Sequence, residues 1–116
     1  KMIKSKYLVQ QFSNKIKKII FILFFLTLCS TVLADPKMDL GLDVYNNKAE
    51  CGACHTLQAA GSEGQIGPDL DLLKPQMNKI IAVVTNGIGV MQAWEGILSY
   101  EEIEAVAYYV FQSTNK

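Results

Sequence analysis

Cys51-Gly52-Ala53-Cys54-His55 is the stretch from which the rest of this chain is read. Two thiols three positions apart, followed at once by an imidazole, form the attachment pattern of a c-type haem: both sulfurs bond to the porphyrin and the histidine ligates iron. On a turn of helix the two cysteines lie along one edge of the macrocycle, while the next residue can swing its ring beneath the metal. Three other chemistries use similar residues. A zinc ribbon needs four ligands, and the chain offers one histidine in total and a third cysteine far away at Cys29. A thioredoxin-like pair needs a strand-turn-helix context, whereas Val44 to Glu50 reads as a helix end. A Cys51–Cys54 disulfide would close so short a loop that it would constrain the unfolded chain little.

The formal charge of zero averages two regions of opposite character. Lys1, Lys4, Lys6, Lys15, Lys17 and Lys18 precede an uncharged apolar run of 16 residues, Ile19 to Ala34, which ends in Val32-Leu33-Ala34. A basic segment, an apolar segment and a small terminal residue describe a signal peptide over residues 1–34, with cleavage expected after Ala34. The run is short for a spanning helix, which needs about 20 residues; an uncleaved membrane anchor is the alternative, and only in that case would the chain be held at a membrane. Cys29 follows the large Leu28, a poor neighbour for lipidation, and reads as an apolar leader residue.

Removing the leader leaves 82 residues carrying five lysines and eleven acidic groups, a formal charge of −6 with no arginine. Nucleic-acid binding is excluded on that balance, because it depends on cations that neutralise phosphates. Redox protein partners with a basic docking rim suit such a surface. A single domain of this size buries a modest fraction of its surface and needs a staple, which a covalently held haem would provide.

Along residues 35–116, apolar Leu40, Val44 and Tyr45 predict a first helix from Asp39 to about Asn47, with Gly41 open to a close approach. The density of Gly61, Gly64, Gly67, Pro68 and Pro75 predicts a wrapping loop over residues 56–75 without regular structure. In it, Pro68 is either a plain turn proline or one whose carbonyl accepts the Nδ1 proton of His55. Pro75 is expected in the first turn of a second helix with Met77, Ile80, Ile81 and Val84 on its apolar face, ended by Asn86-Gly87. Gly87 to Trp94 reads as a flexible segment. Of the four methionines, Met91 alone has the loop context of a ligand, 36 residues beyond His55; its soft thioether suits haem iron opposite histidine. Ser99-Tyr100-Glu101-Glu102 forms a capping box that opens a helix to about Gln112. Its inward stripe is Ile103, Val106, Ala107 and Val110, with Tyr109 at the edge near Gly41 or Tyr45.

The stretch from Gly41 to Val110 resembles class I cytochrome c: a first helix, Cys51-Gly52-Ala53-Cys54-His55, a loop with Gly67-Pro68-Asp69-Leu70, a methionine at Met91 and a C-terminal aromatic helix. The resemblance implies a small all-α fold of three to five helices wrapped around one covalently attached haem c, with the N- and C-terminal helices crossing. It further implies thioether bonds at Cys51 and Cys54, iron ligation by His55 and Met91, a Pro68 carbonyl that anchors His55, and a helix crossing built from Gly41, Tyr45 and Tyr109. Gln92 departs from the proline that many small bacterial relatives carry after the ligand.

Within the family, Ile66-Gly67-Pro68-Asp69-Leu70, Val84-Thr85-Asn86-Gly87-Ile88-Gly89-Val90-Met91 and Leu98-Ser99-Tyr100-Glu101-Glu102-Ile103 look like the small haem subunit of bacterial sulfite dehydrogenases. That finer likeness implies a molybdenum-containing catalytic subunit as partner. The expected function is therefore one-electron transfer in the periplasm by a carrier with no substrate chemistry, the alternative being a dedicated electron-accepting subunit of a dehydrogenase complex. A peroxidase-like enzyme would need distal acid–base groups that a chain with one histidine and no arginine lacks.

Overall fold

The computed structural model describes residues 2–27 and 34–116. The chain divides into two units, Lys1–Leu33 and Ala34–Lys116. Among the described residues the first contains one helix, α1 (Met2–Thr27), which takes in Lys4 to Lys18 and the start of the apolar run. Among the described residues no helix is long and apolar enough to cross a membrane. Cys29 and the Val32-Leu33 end of the expected leader lie outside the described residues.

The second unit has the all-α architecture of a small class I cytochrome c fold. Helix α2 (Pro36–Asp43) starts three residues earlier than the sequence periodicity predicts. The reason is local: the Asp35 side chain accepts from the Lys37 amide at 3.0 Å, and Pro36 takes the first helical position, where its missing N–H costs nothing. Asp35-Pro36 was the signal for this start. The helix then widens into a π-helical turn, Val44–Lys48, which buries Val44 and Tyr45 side by side. Glu50, at φ 47°, turns the chain in the left-handed region and delivers it into a 3₁₀ turn, Cys51–Ala53.

Residues 56–75 contain more regular structure than their turn formers predict. Strands β1 (Thr56–Leu57) and β2 (Ser62–Glu63) pair antiparallel, with Leu57 opposite Ser62, around a 3₁₀ turn at Gln58–Ala60. Helix α3 (Leu70–Leu73) follows, capped by the Asp69 carboxylate on the Leu72 amide at 3.1 Å. Asp71 accepts from the Gln58 amide at 2.7 Å and so ties α3 back to the hairpin. Helix α4 (Met77–Asn86) begins after Gln76, which leaves Pro75 outside it. Gly87 caps its end as expected.

Helix α5 (Tyr100–Thr114) opens on the predicted capping box: the Ser99 side chain accepts from the Glu102 amide and the Glu102 carboxylate accepts from the Ser99 amide. Glu102 also pairs with Lys48 just before the attachment segment. The hydrogen bond from Lys48 is the main influence that holds the Glu102 carboxyl below its ordinary range. Ile103, Val106, Ala107 and Val110 are buried as the stripe predicts; Tyr109, expected at the edge, is buried with them. They form one core with Val44, Tyr45, Leu57, Ile80, Val84 and Leu98.

The crossing of α2 and α5 holds this core together. A Cβ on Gly41 would stand 2.3 Å from the Ala105 carbonyl oxygen and 2.5 Å from the Tyr109 Cβ, so only glycine lets the two backbones meet. One turn on, the rings of Tyr45 and Tyr109 pack with centroids 6.0 Å apart, tilted by 56°, within the range of favourable aromatic contacts.

Candidate haem-attachment site

The attachment segment is held from three directions. The Cys51 carbonyl accepts from the Cys54 amide at 3.1 Å and from the His55 amide at 2.9 Å, which closes the turn over the motif. The Gly67 amide donates to the Cys54 carbonyl at 2.8 Å, so the later loop folds back along it. From the core side, the fully buried Tyr45 places its hydroxyl 3.1 Å from Ser62 Oγ and 3.5 Å from the His55 carbonyl oxygen. Burial pushes the Tyr45 hydroxyl up to about 12, against a smaller opposing effect of its bond to Ser62. It is therefore a neutral hydroxyl with a proton to donate.

His55 Nδ1 lies 2.8 Å from the Pro68 carbonyl oxygen. A carbonyl can only accept, so Nδ1 carries a proton in this contact, and in the neutral ring Nε2 then keeps its lone pair. That tautomer is the one a metal-binding imidazole needs when its other nitrogen is anchored. The neighbouring loop leaves no slack: a Cβ on Gly67 would meet the ring at 2.4 Å from Cε1 and 2.7 Å from Nδ1. Gly67→Ala is accordingly expected to turn the imidazole and lower the haem-loaded fraction. The check is the reduced α-band per mole of protein; native intensity would show that the ring accommodates the methyl group.

Both motif thiols are free. Burial pushes the Cys51 thiol up to about 11, chiefly by desolvation. A cysteine built for disulfide exchange has its thiol depressed instead, and the segment before Cys51 is a π-helical turn rather than a strand. Among the described residues no group of three or more His, Cys, Asp or Glu is placed to hold a metal ion. The donor set that remains is two free thiols, at the start of the 3₁₀ turn and just past its end, and an imidazole anchored through Nδ1, which fits a covalently attached haem.

The Met91 segment is more ordered than a flexible loop. Ile88 and Met91 exchange two backbone hydrogen bonds, at 3.0 and 2.9 Å, around a Gly89-Val90 corner in which Gly89 has φ 56°. The Trp94 and Glu95 amides then donate to the Val84 and Thr85 carbonyls, at 2.9 and 3.3 Å, pinning the turn to the end of α4. Met91 is partly buried against the core, as Met38 and Met77 are, whereas Val90 at the tip is 93 % exposed. Gln92 leaves this turn closed, since none of its bonds needs a proline at that position. Sequence reasoning missed Ser62, whose hydroxyl accepts from the Leu57 amide at 3.1 Å and meets Tyr45. No local pattern marks a serine that packing brings against a distant hydroxyl.

Residues 36–110 match the family model described as "Cytochrome C oxidase, cbb3-type, subunit III". The chain is 36 % identical over 87 residues to cytochrome c6 of Tetradesmus obliquus, covering 66 % of this chain and 93 % of that protein. It is 38 % identical over 84 residues to cytochrome c6 of Leptolyngbya boryana, covering 66 % and 92 %. Among solved structures, the c-type cytochrome SorU from Sinorhizobium meliloti superposes with a TM-score of 0.67 at 45 % identity, covering 72 % of this chain and 97 % of that one.

Proposed function

The chain belongs to the class I c-type cytochromes, electron carriers with one covalently attached haem c that act with redox partners and are not enzymes; from that membership we propose a periplasmic carrier whose iron is ligated by His55 and Met91. Residues 1–34 are its export signal. When bound, the haem supplies a one-electron Fe(III)/Fe(II) couple. Cys51 and Cys54 would hold the porphyrin by thioether bonds, and the Pro68 carbonyl, which fixes the His55 ring through Nδ1, would leave Nε2 to ligate the metal. The observation that carries this reading is the 2.8 Å contact between His55 Nδ1 and the Pro68 oxygen, beside two unpaired thiols. With His55 and Met91 holding the iron, the site would keep solvent and substrate off the metal and would change little between oxidation states.

Oxidised and reduced absorption spectra of protein matured with a haem-attachment system test the proposal. A sharp α-band that survives denaturation and a weak band at the red end of the oxidised spectrum are expected. Pigment extracted by acid and organic solvent, or a missing red band, would overturn the thioether or the Met91 assignment respectively.

The second reading is a dedicated electron-accepting subunit of a dehydrogenase such as a sulfite dehydrogenase. The exposed Val90 on the Met91 turn favours it, being an apolar contact that a lasting partner would cover. Co-purification with a molybdenum-containing subunit at moderate salt supports that reading. A free monomer that accepts electrons from several donors supports the carrier.

A further inference from the structure

His55 is gripped at three atoms. Its amide is bonded to Cys51 and its Nδ1 to Pro68, both within the attachment region, while its carbonyl faces Tyr45 of the π-helical turn. Tyr45 is fully buried and packs on Tyr109 of α5. It is therefore the side chain through which the helix crossing reaches the candidate ligand.

The intervening contacts form a chain of hydroxyls. The Leu57 amide donates to Ser62 Oγ at 3.1 Å, Ser62 Oγ lies 3.1 Å from the Tyr45 hydroxyl, and that hydroxyl lies 3.5 Å from the His55 carbonyl oxygen. Each hydroxyl has one proton. If Ser62 donates to Tyr45 and Tyr45 to His55, every proton is used once and the chain ends on a group that can only accept. Ser62 cannot drift from this position, because Gly52 of the attachment turn is packed against it, with an added Cβ only 2.7 Å from the Ser62 Cβ. The competing arrangement has Tyr45 donating to Ser62 and Ser62 donating back to the Leu57 carbonyl at 3.4 Å, which directs neither hydroxyl proton to the His55 carbonyl. Only the first arrangement carries both protons toward His55.

We infer that Tyr45 and Ser62 are positioning residues: their hydroxyl relay holds the His55 backbone from the core side and thereby sets the orientation of the imidazole toward the haem. The inference rests on His55 being an axial ligand. It assigns Tyr45 a role beyond its ring, and Ser62 a role beyond the hairpin.

The test uses haem-loaded Tyr45→Phe, Ser62→Ala and the double variant. Tyr45→Phe keeps the ring against Tyr109 and removes only the hydroxyl; Ser62→Ala removes one oxygen. Two readouts report on the ligand: the paramagnetically shifted ring-proton resonances of His55 in the oxidised protein, and the reduction equilibrium against a fixed mediator. Both single variants are expected to move the resonances in the same sense and to change the equilibrium about two- to tenfold, the scale of one hydrogen bond. The double variant should add nothing further, since breaking a relay twice has no second effect. Native resonances and equilibrium in both single variants, even with a lowered melting temperature, would overturn the relay, as would additive shifts in the double variant. If Tyr45→Phe loads no haem, Ser62→Ala decides alone, shifted resonances upholding the relay and native ones ending it. A native protein with no shifted histidine resonances would instead remove His55 from the iron and the relay with it, so the two failures are told apart.

Discussion

Gly41→Val is expected to destabilise the folded domain by about 3 kcal/mol or more, the upper range for forcing atoms into a packed contact. The first added carbon already falls 2.3 Å from a backbone oxygen on α5 and 2.5 Å from the Tyr109 Cβ. Neither neighbour is the free end of a flexible side chain, so the helices themselves must separate. Separation would also pull Tyr45 away from Tyr109, at the seam of the core. For a domain of this size each kcal/mol moves the melting temperature by about 4–8 °C. Thermal unfolding followed by helix circular dichroism and by haem absorbance should therefore show a drop of more than about 10 °C on the same scale. A melting temperature close to that of the native protein would mean that α2 and α5 do not meet at Gly41 in the mature molecule.

Met91→Ala should leave the fold largely in place and change the redox chemistry. A thioether is a soft donor that favours the reduced iron, and with Met91 as the proposed ligand its removal would hand the position to a weaker, harder donor from solvent. The reduction equilibrium is expected to fall at least tenfold, equivalent to about 59 mV for a one-electron couple. The red-end band of the oxidised spectrum should disappear with it. Met77→Ala is the control, because Met77 begins α4 and packs on the core: it should cost stability and leave the potential where it was. Unchanged potential and spectrum in Met91→Ala would take Met91 off the iron.

These two outcomes separate what packing holds from what ligation supplies. The capping box at Ser99 and Glu102, the Gly87 stop after α4 and the buried stripe of α5 were legible because each depends on neighbours within one or two turns of helix. The start of α2 was equally local, and Asp35-Pro36 carried it. The hairpin at residues 56–63 and the order of the Gly87–Trp94 segment were not legible. Their sequences are rich in turn formers, which mark where a chain bends and not what it pairs with afterwards. The Met91 turn is held by carbonyls at the end of α4, supplied only once that helix is docked.

By itself, the sequence determined the cofactor chemistry and the helical framework. Two thiols and an imidazole in five consecutive residues specify covalent attachment through neighbours in the chain, and caps and periodicity specify helices in the same way. Only the tertiary structure decided how His55 is held. Pro68, Gly67, Tyr45 and Ser62 come from ten or more residues away in the chain or reach it through a second contact, and they converge because the crossing of α2 and α5 and the folding back of the loop leave each of them one place to pack.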